Sequence, residues 1–366
     1  MKGFDGKNGA RSVVIFLPAD PSGSAEFDYL GRLVRHEVGK VFGSPLLVAT
    51  SDEGGVCGDW VLAFRSERVL VLGRTLVALE RALVEGADVA YPWSLAQVTP
   101  REPVLTLRGF ERAEAGLLKP GDGQWEEVAV APVALWRWEA WLGRGEAACG
   151  WKVAKVGLCH EFIDYYGEVR KDVVPFLPVG VREVLEIGCA RGFTGAFLQE
   201  TLGCRVTGVE LNPVVAEEAR ARLYEVIVGD VEALELGRQF DAVLALELFE
   251  HLKDPFAFSQ KVQGWLRPGG VMILSTPNVG HWSVVQDLLE GRWDYLPVGL
   301  LCFTHLRFFT RKSLEDLLRY GGWNDVRIVP QPGPMPAEVA KRLRRVGVYD
   351  EESLNTLGFW VVAKKG

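Results

Sequence analysis

The feature that most constrains this chain is the stretch Val184-Leu-Glu-Ile-Gly-Cys-Ala-Arg-Gly-Phe-Thr-Gly195. An apolar run from Val184 to Ile187, interrupted by Glu186, reads as a buried strand. It turns through Gly188 and Gly192 into a helical segment, Thr194 to Leu202. Strand, glycine turn and helix start together make a place to hold a ligand. Glycines let the backbone approach closely, and the first N–H groups of a helix have no partner within it. The next strand, in Val206-Thr-Gly-Val-Glu-Leu-Asn-Pro213, ends on Glu210, whose carboxylate suits the two hydroxyls of a ribose. A dinucleotide fingerprint needs glycines at the first, third and sixth positions of its turn. Counted from Gly188, those positions hold Ala190 and Phe193, so that reading fails.

Length and composition set the frame. A chain of 366 residues exceeds one typical domain, and we expect two, a small α/β domain over 1–150 and a second domain over 151–366. A net charge of −7 without a Lys/Arg run gives no footprint for nucleic acid. The 6 cysteines are scattered with no Cys-x-x-Cys pair, which fits reduced thiols in a cytoplasmic protein and no disulfide framework or zinc site. Met1 to Arg11 is polar and glycine-rich, unlike a signal peptide, and no apolar run approaches the ~20 residues that span a bilayer.

In the first part, Val13–Leu17, Leu46–Ala49, Val69–Leu72 and Asp88–Tyr91 read as strands, and Ala25–Phe42 and Leu76–Val84 as helices. Val104–Leu107 and Val128–Ala131 are candidate later strands, and Trp136, Trp138 and Trp141 sit in an expected helix. The segments Val13–Pro18, Val69–Leu72 and Glu85–Pro92 faintly resemble a family 2-type glycosyltransferase of the GT-A fold. Such enzymes place an Asp-x-Asp after the middle strand. Gly73-Arg74-Thr75 stands there, so the resemblance implies a degenerate domain that binds or scaffolds.

In the second part, His160–Arg170 reads as a helix leading into the first strand, and Val214–Leu223 as a helix. Glu225–Asp230, Phe240–Leu246 and Val271–Asn278 read as the third, fourth and fifth strands, with a Pro-Gly-Gly turn before the fifth. Asp325–Pro330 and Phe359–Lys364 are expected to form a closing hairpin. Gly188, Glu210, Asp230 and the Leu246–His251 loop place the expected residue types at four strand ends. This order resembles the class I S-adenosylmethionine (SAM)-dependent methyltransferases, nearest to the small-molecule ubiquinone-biosynthesis and sugar-modifying type. The resemblance covers about 160–366 and implies a Rossmann-like seven-stranded α/β methyltransferase fold. Two departures stand out: Ala190 replaces a third turn glycine, and Cys302 replaces an Asp two residues before Thr304 in the family's substrate loop, Gly291–Leu296 with Thr304–Thr310.

The resemblance further implies a SAM site, with S-adenosylhomocysteine as product, built from Glu186, Gly188, Gly192, Glu210, Leu211, Asp230, Val231 and Leu246. Tyr165, Tyr166 and Arg170 are candidates for the cofactor's methionine end, Tyr166 foremost. A sulfonium donor is already activated, so the protein chiefly aligns donor and acceptor. An oxygen acceptor also needs a base. Histidine is the default, and His281, His305 and His251 fall on crevice-side loops, in that order of preference. Glu247 and Glu250 are one helical turn apart, but no cluster of oxygen ligands for a catalytic metal is legible. The expected function is methyl transfer to a hydroxyl of a sugar or small polar metabolite. The alternatives are an N- or C-methyltransferase, or a binding or scaffold protein on a methyltransferase fold. Expected partners are the small-molecule or sugar substrate and a second copy in a homodimer, with no nucleic acid and no membrane span.

Overall fold

A computed structural model describes residues 13–16, 25–43, 47–49, 58–65, 68–98, 106–144, 151–162, 166–296, 298–345, 347 and 350–366. The chain divides into two compact units, Met1–Ile163 and Asp164–Gly366, each built on its own sheet. This boundary lies beyond the 150 expected from the glycine-rich stretch. The reason is a strand that the sequence reading missed: β8 (Val153–Glu161) pairs within the first sheet and ends where a lead-in helix was expected.

The first sheet also holds β1 (Val13–Phe16), β2 (Leu47–Ala49), β3 (Trp60–Phe64), β4 (Val69–Val71), β5 (Val89–Ser94), β6 (Gly121–Asp122) and β7 (Val133–Arg137). Their order is β2-β1-β3-β7-β5-β8-β4, with β6 on β8. β7 runs antiparallel to both neighbours, β3 and β5, so the sheet is mixed. The Ala25–Phe42 helix is as expected; Gly73–Val84 begins earlier than expected, at the glycine. Val128 ends a short helix, Trp125–Val128, and the strand comes later, at Val133–Arg137. Trp136 is therefore a strand residue, packed edge-on against Trp125 and Trp141. Leu107 opens a helix, Leu107–Ala115, capped by Thr106; Val104 lies outside the described residues.

The second sheet has seven strands: β9 (Glu183–Ile187), β10 (Arg205–Glu210), β11 (Glu225–Val228), β12 (Phe240–Leu246), β13 (Leu266–Pro277), β14 (Asp325–Pro332) and β15 (Thr356–Lys364). The order is β11-β10-β9-β12-β13-β15-β14, parallel from β11 to β13 and antiparallel thereafter. The middle strands bury both faces, as parallel sheets covered by helices do: β12 exposes part of Asp241 and Leu246 and buries Phe240 and Ala242 to Ala245. One face packs Leu185, Val209, Val243 and Phe258; the other packs Val184, Val206, Ala242 and Leu198. This is period-two alternation along each strand. It sends every parallel strand's carboxyl end to one edge, where open α/β sheets bind ligands.

Candidate active site

Five strand ends meet at that edge, and the turn after β9 is the most constrained of them. Gly188, Ala190 and Gly192 have φ of 69°, 49° and 78°, all in the left-handed region. The substitution of alanine for the family's glycine therefore leaves the turn's path intact, at a strain of roughly 1 kcal/mol. At Gly192, which caps the Phe193–Leu202 helix, a Cβ would lie 3.0 Å from Leu223 and 3.3 Å from the Cα of Ala219. The glycine is required by close packing as well as by φ.

Glu210 sits beside this turn, nearly buried. Its Oε2 accepts the Ala190 N–H at 2.9 Å and its Oε1 accepts the Asn212 N–H at 2.9 Å. These two fixed amides orient the carboxylate. Asn212 in turn caps the Pro213–Arg220 helix, its Oδ1 accepting from Val214 at 3.0 Å. The Glu210 carbonyl accepts the N–H of Gly229, which ties the ends of β10 and β11 together. Asp230 follows, half-exposed, its Oδ1 accepting from the Glu232 N–H at 2.9 Å. Val231 is buried and Leu211 is 69% exposed, a free apolar side chain at the rim. Glu210 and Asp230 thus stand on neighbouring strand ends rather than in separate clefts.

Glu186 points the other way. It is buried under the first turn of the Phe193–Leu202 helix, where a Cβ on Gly195 would lie 2.6 Å from its Oε2. Burial pushes its carboxyl up to about 8, against the Gly195 N–H that favours the anion; the negative charge of Glu210 adds to the rise. It supports the turn from beneath. Arg170 lies over the end of β13: Nη1 donates to Ser275 Oγ at 3.4 Å, its guanidinium pairs with Asp172 and Glu247, and it rests 4.8 Å from the Trp360 ring centroid. The Tyr166 carbonyl accepts the Arg191 N–H at 3.4 Å. Tyr165 lies outside the described residues.

The end of β12 carries the arrangement that sequence reasoning did not assemble. Glu247 takes φ 50°, and Phe249–His251 forms a single 3-10 turn. Ser275 Oγ donates to Glu247 Oε1 at 2.6 Å, and Thr276 Oγ1 donates to Glu250 Oε2 at 2.9 Å. Burial, and then the charge of Glu247, pushes the Glu250 carboxyl well up. Its other oxygen, Oε1, is buried with no hydrogen-bond partner. His305 arrives from the segment between the Trp282–Leu289 helix and β14, its ring centroid 4.8 Å from that of His251. Its Nδ1 faces the Leu300 carbonyl at 3.1 Å, so Nδ1 carries the proton and Nε2 the lone pair. Burial, helped by His251, pulls His305 down to about 4 and keeps it neutral. Ligand atoms of Glu250, His251 and His305 lie within 4.8 Å of one another. One carboxylate and two imidazoles suit a divalent transition metal. The sequence expectation concerned a cluster of oxygen ligands, which this group is not; local spacing could not bring this group together, because His305 comes from 54 residues beyond His251 in the chain. The signal present in the sequence was Glu-x-x-Glu-His with Ser-Thr at the next strand end.

His281, the histidine first in preference, stands apart from this group. It is 1% exposed and caps the Trp282–Leu289 helix. Its Nε2 donates to the Gly333 carbonyl at 3.0 Å, and its Nδ1 meets Ser283 Oγ at 2.9 Å. With both ring nitrogens engaged and its pKa lowered to about 4 by burial, it has no lone pair for a substrate proton. Cys302 is likewise buried, its Sγ 3.1 Å from Thr304 Oγ1.

Residues 160–328 match the family described as a methyltransferase domain. The chain is similar to the ubiquinone biosynthesis O-methyltransferases of Cereibacter sphaeroides and Ruegeria pomeroyi. Identity to the first is 31% over 171 residues, covering 43% of this chain and 67% of that protein. Identity to the second is 34% over 173 residues, covering 44% and 67%. Among solved structures, a SAM-dependent methyltransferase from Archaeoglobus fulgidus aligns with a TM-score of 0.40 and 19% identity, over 53% of this chain and 90% of that one. The chain belongs to the class I SAM-dependent methyltransferases, with SAM as its methyl donor.

Proposed function

We propose that the chain transfers the methyl group of SAM to a hydroxyl of a small polar acceptor, such as a sugar or a catechol-like metabolite. The observation that carries this reading is the convergence of Glu250, His251 and His305 at the same sheet edge as the glycine turn and Glu210. Ribose hydroxyls fall to Glu210, and the adenine edge to Asp230, Val231 and Leu211. The methionine end falls to Gly188, Gly192 and Leu246, with Arg170 and Tyr166 above. Glu250, His251 and His305 would hold a divalent cation. When bound, it lowers the pKa of a coordinated hydroxyl. His305, with its Nδ1 proton held by the Leu300 carbonyl, has its one available lone pair on Nε2 for that cation. Arg170 keeps Glu247 ion-paired, so the sulfonium does not face two unpaired carboxylates. Transfer to a nitrogen or carbon is the competing chemistry, and NMR of the methylated product separates the three.

The test is turnover of radiolabelled SAM with 3,4-dihydroxybenzoate and methyl α-D-mannopyranoside as acceptors. We expect O-methylation of one of them, reduced at least about 100-fold by His305→Ala or by chelator and restored by added metal in the second case. Undiminished turnover by a His251→Ala/His305→Ala double variant contradicts the assignment. For the first unit we propose a binding or scaffolding role. The turn after β4 reads Leu72-Gly73-Arg74-Thr75 and offers no carboxylate pair for the metal of a sugar nucleotide.

A further inference from the structure

The second sheet has a cleft at the edge away from the glycine turn. It lies at the amino ends of β9, β12 and β13 and measures about 680 Å³. Its lining includes Glu183, Gly237, Arg238, Gln239, Gly264 and Arg267. None of these residues has a part in the methyl-transfer reading, whose groups stand at the opposite ends of the same strands. Two glycines of the cleft have no reason within the chain to be glycine. Every other internal glycine among the described residues has either a left-handed φ or an atom within 4 Å of where a Cβ would stand. Gly237 and Gly264 have neither. Gly264 moreover falls in the last turn of the Pro255–Trp265 helix, where glycine is less stable than alanine. Bare backbone in the wall of a cleft lets a ligand come close to it.

The same cleft holds two cations with hydrogen-bonding capacity to spare. Arg238 is anchored through Nη2 alone, on Thr207 Oγ1 at 2.9 Å and on Glu225. Arg267 is anchored through Nη1 alone, on Asp241 Oδ1 at 2.6 Å. Both side chains are a little under half exposed. Among the described residues nothing accepts from their other guanidinium nitrogens, or from the backbone N–H groups of Gly237, Arg238 and Gln239. The carboxylates nearby are already engaged. Glu183, the one that lines the cleft, accepts from Arg205 Nε at 2.8 Å. Asp241 accepts from Arg267 and, through Oδ2, from the N–H groups of Arg182 and Glu183, both at 2.9 Å. Each guanidinium is thus fixed at one corner, and the rest of its planar fork suits the oxygens of an anion. Backbone N–H groups without acceptors favour the same kind of ligand.

We propose that this cleft binds a phosphate monoester, with Arg238, Arg267 and the amides of residues 237–239 donating to its terminal oxygens. The glycine-lined wall receives the group esterified to the phosphate. A carboxylate has two oxygens and satisfies one guanidinium fork; the three terminal oxygens of a monoester serve both forks and an amide together. The site lies apart from the cofactor edge and stands whichever acceptor the chain methylates.

The experiment uses the full chain, with and without saturating S-adenosylhomocysteine, at fixed ionic strength. Phenyl phosphate, inorganic phosphate and benzoate are titrated by calorimetry into the wild type, Arg238→Gln, Arg267→Gln and Gly264→Leu. We expect the wild type to bind phenyl phosphate saturably, and benzoate at least about tenfold more weakly. Each arginine variant should lose at least about tenfold for phenyl phosphate and for inorganic phosphate. Gly264→Leu removes no charge and no ion pair; it should lose at least about tenfold for phenyl phosphate and less than about threefold for inorganic phosphate, because it fills the wall and spares the forks. Gly264→Ala should melt about 2–4 °C above the wild type. The proposal is overturned by no saturable binding up to about 10 mM phenyl phosphate, by benzoate binding as tightly, or by wild-type affinity in the arginine variants or in Gly264→Leu. Displacement of phenyl phosphate by S-adenosylhomocysteine would put the anion in the cofactor cleft and overturn it too. So would lower melting of Gly264→Ala, which would give the glycine a role in the chain's own packing.

Discussion

Two strand–turn–helix units in this chain place a carboxylate at a helix start, and they use it in opposite ways. In the first unit β4 passes into the Gly73–Val84 helix through Leu72 alone, in extended conformation. Glu114, fully buried, fills the helix start. Its Oε1 accepts the Thr75 N–H at 3.1 Å and the Thr75 hydroxyl at 2.7 Å, and Arg74 approaches Oε2 at 3.3 Å. Gly157 of β8 packs so tightly on Thr75 that a Cβ there would lie 2.5 Å from its hydroxyl. In the second unit the turn from Ile187 to Phe193 takes five residues, three of them left-handed. Glu210 binds the turn from the side, through the Ala190 N–H. A carboxylate that closes a helix start makes a core; one that braces an open left-handed turn makes a cradle. Glycine is present at both, so turn length and handedness carry the difference.

The comparison can be pressed with variants, the strongest first. Gly192→Val forces a β-branched side chain into φ 78° and against Ala219 and Leu223. SAM affinity should fall more than about 100-fold, roughly 2.7 kcal/mol, read by calorimetry; near-normal affinity would mean the cradle does not depend on this turn. Glu114→Ala should lower stability to denaturant by about 2–3 kcal/mol while SAM affinity stays within about twofold. A matching loss of SAM binding would erase the contrast between the two carboxylates.

Glu186 gives a pH test. Its folded value is raised to about 8 from an ordinary 4.5. Between those values the folded chain holds a proton that the unfolded chain has lost, so stability falls as pH rises through that window. Glu186→Gln cannot ionise, and its stability relative to wild type should grow by about 2 kcal/mol between pH 6 and 8; parallel denaturation profiles would show that Glu186 is not a buried acid. The smallest effect is Ala190→Gly, which relieves the strain at φ 49° and should raise stability by no more than about 0.5 kcal/mol, net of the backbone entropy glycine adds. A loss of stability would show that the alanine's methyl group is a packing contact.

What could be read in advance followed the same divide. The second sheet was legible because each parallel strand carries a largely apolar stretch, as in Phe240–Leu246 before Glu247. The cofactor residues sit within a few positions of those ends. The first sheet was harder. Trp60–Phe64 and Val153–Glu161 are central strands whose neighbours come from far along the chain, and no local turn announces them. Trp136 was misplaced because it was read together with Trp138 and Trp141, which do lie in the Trp138–Leu142 helix that follows β7 directly. In the candidate site His281 misled for a similar reason. Its position after the fifth strand fits a base, but its Gly333 partner lies 52 residues away. The group of Glu250, His251 and His305 was hidden in the same way, His305 lying 54 residues beyond His251. Local patterns disclose strand ends, whereas long-range contacts decide which side chains stay available.

The central claim is that Glu210 and the left-handed turn it braces form the adenosyl site. Calorimetric titration of SAM into the wild type and Glu210→Ala tests it directly. The account predicts saturable binding by the wild type and a loss of about 10- to 100-fold, roughly 1.4–2.8 kcal/mol, in a variant that still folds. Equal affinity in the two proteins, or no heat from the wild type at SAM in large excess, would contradict it.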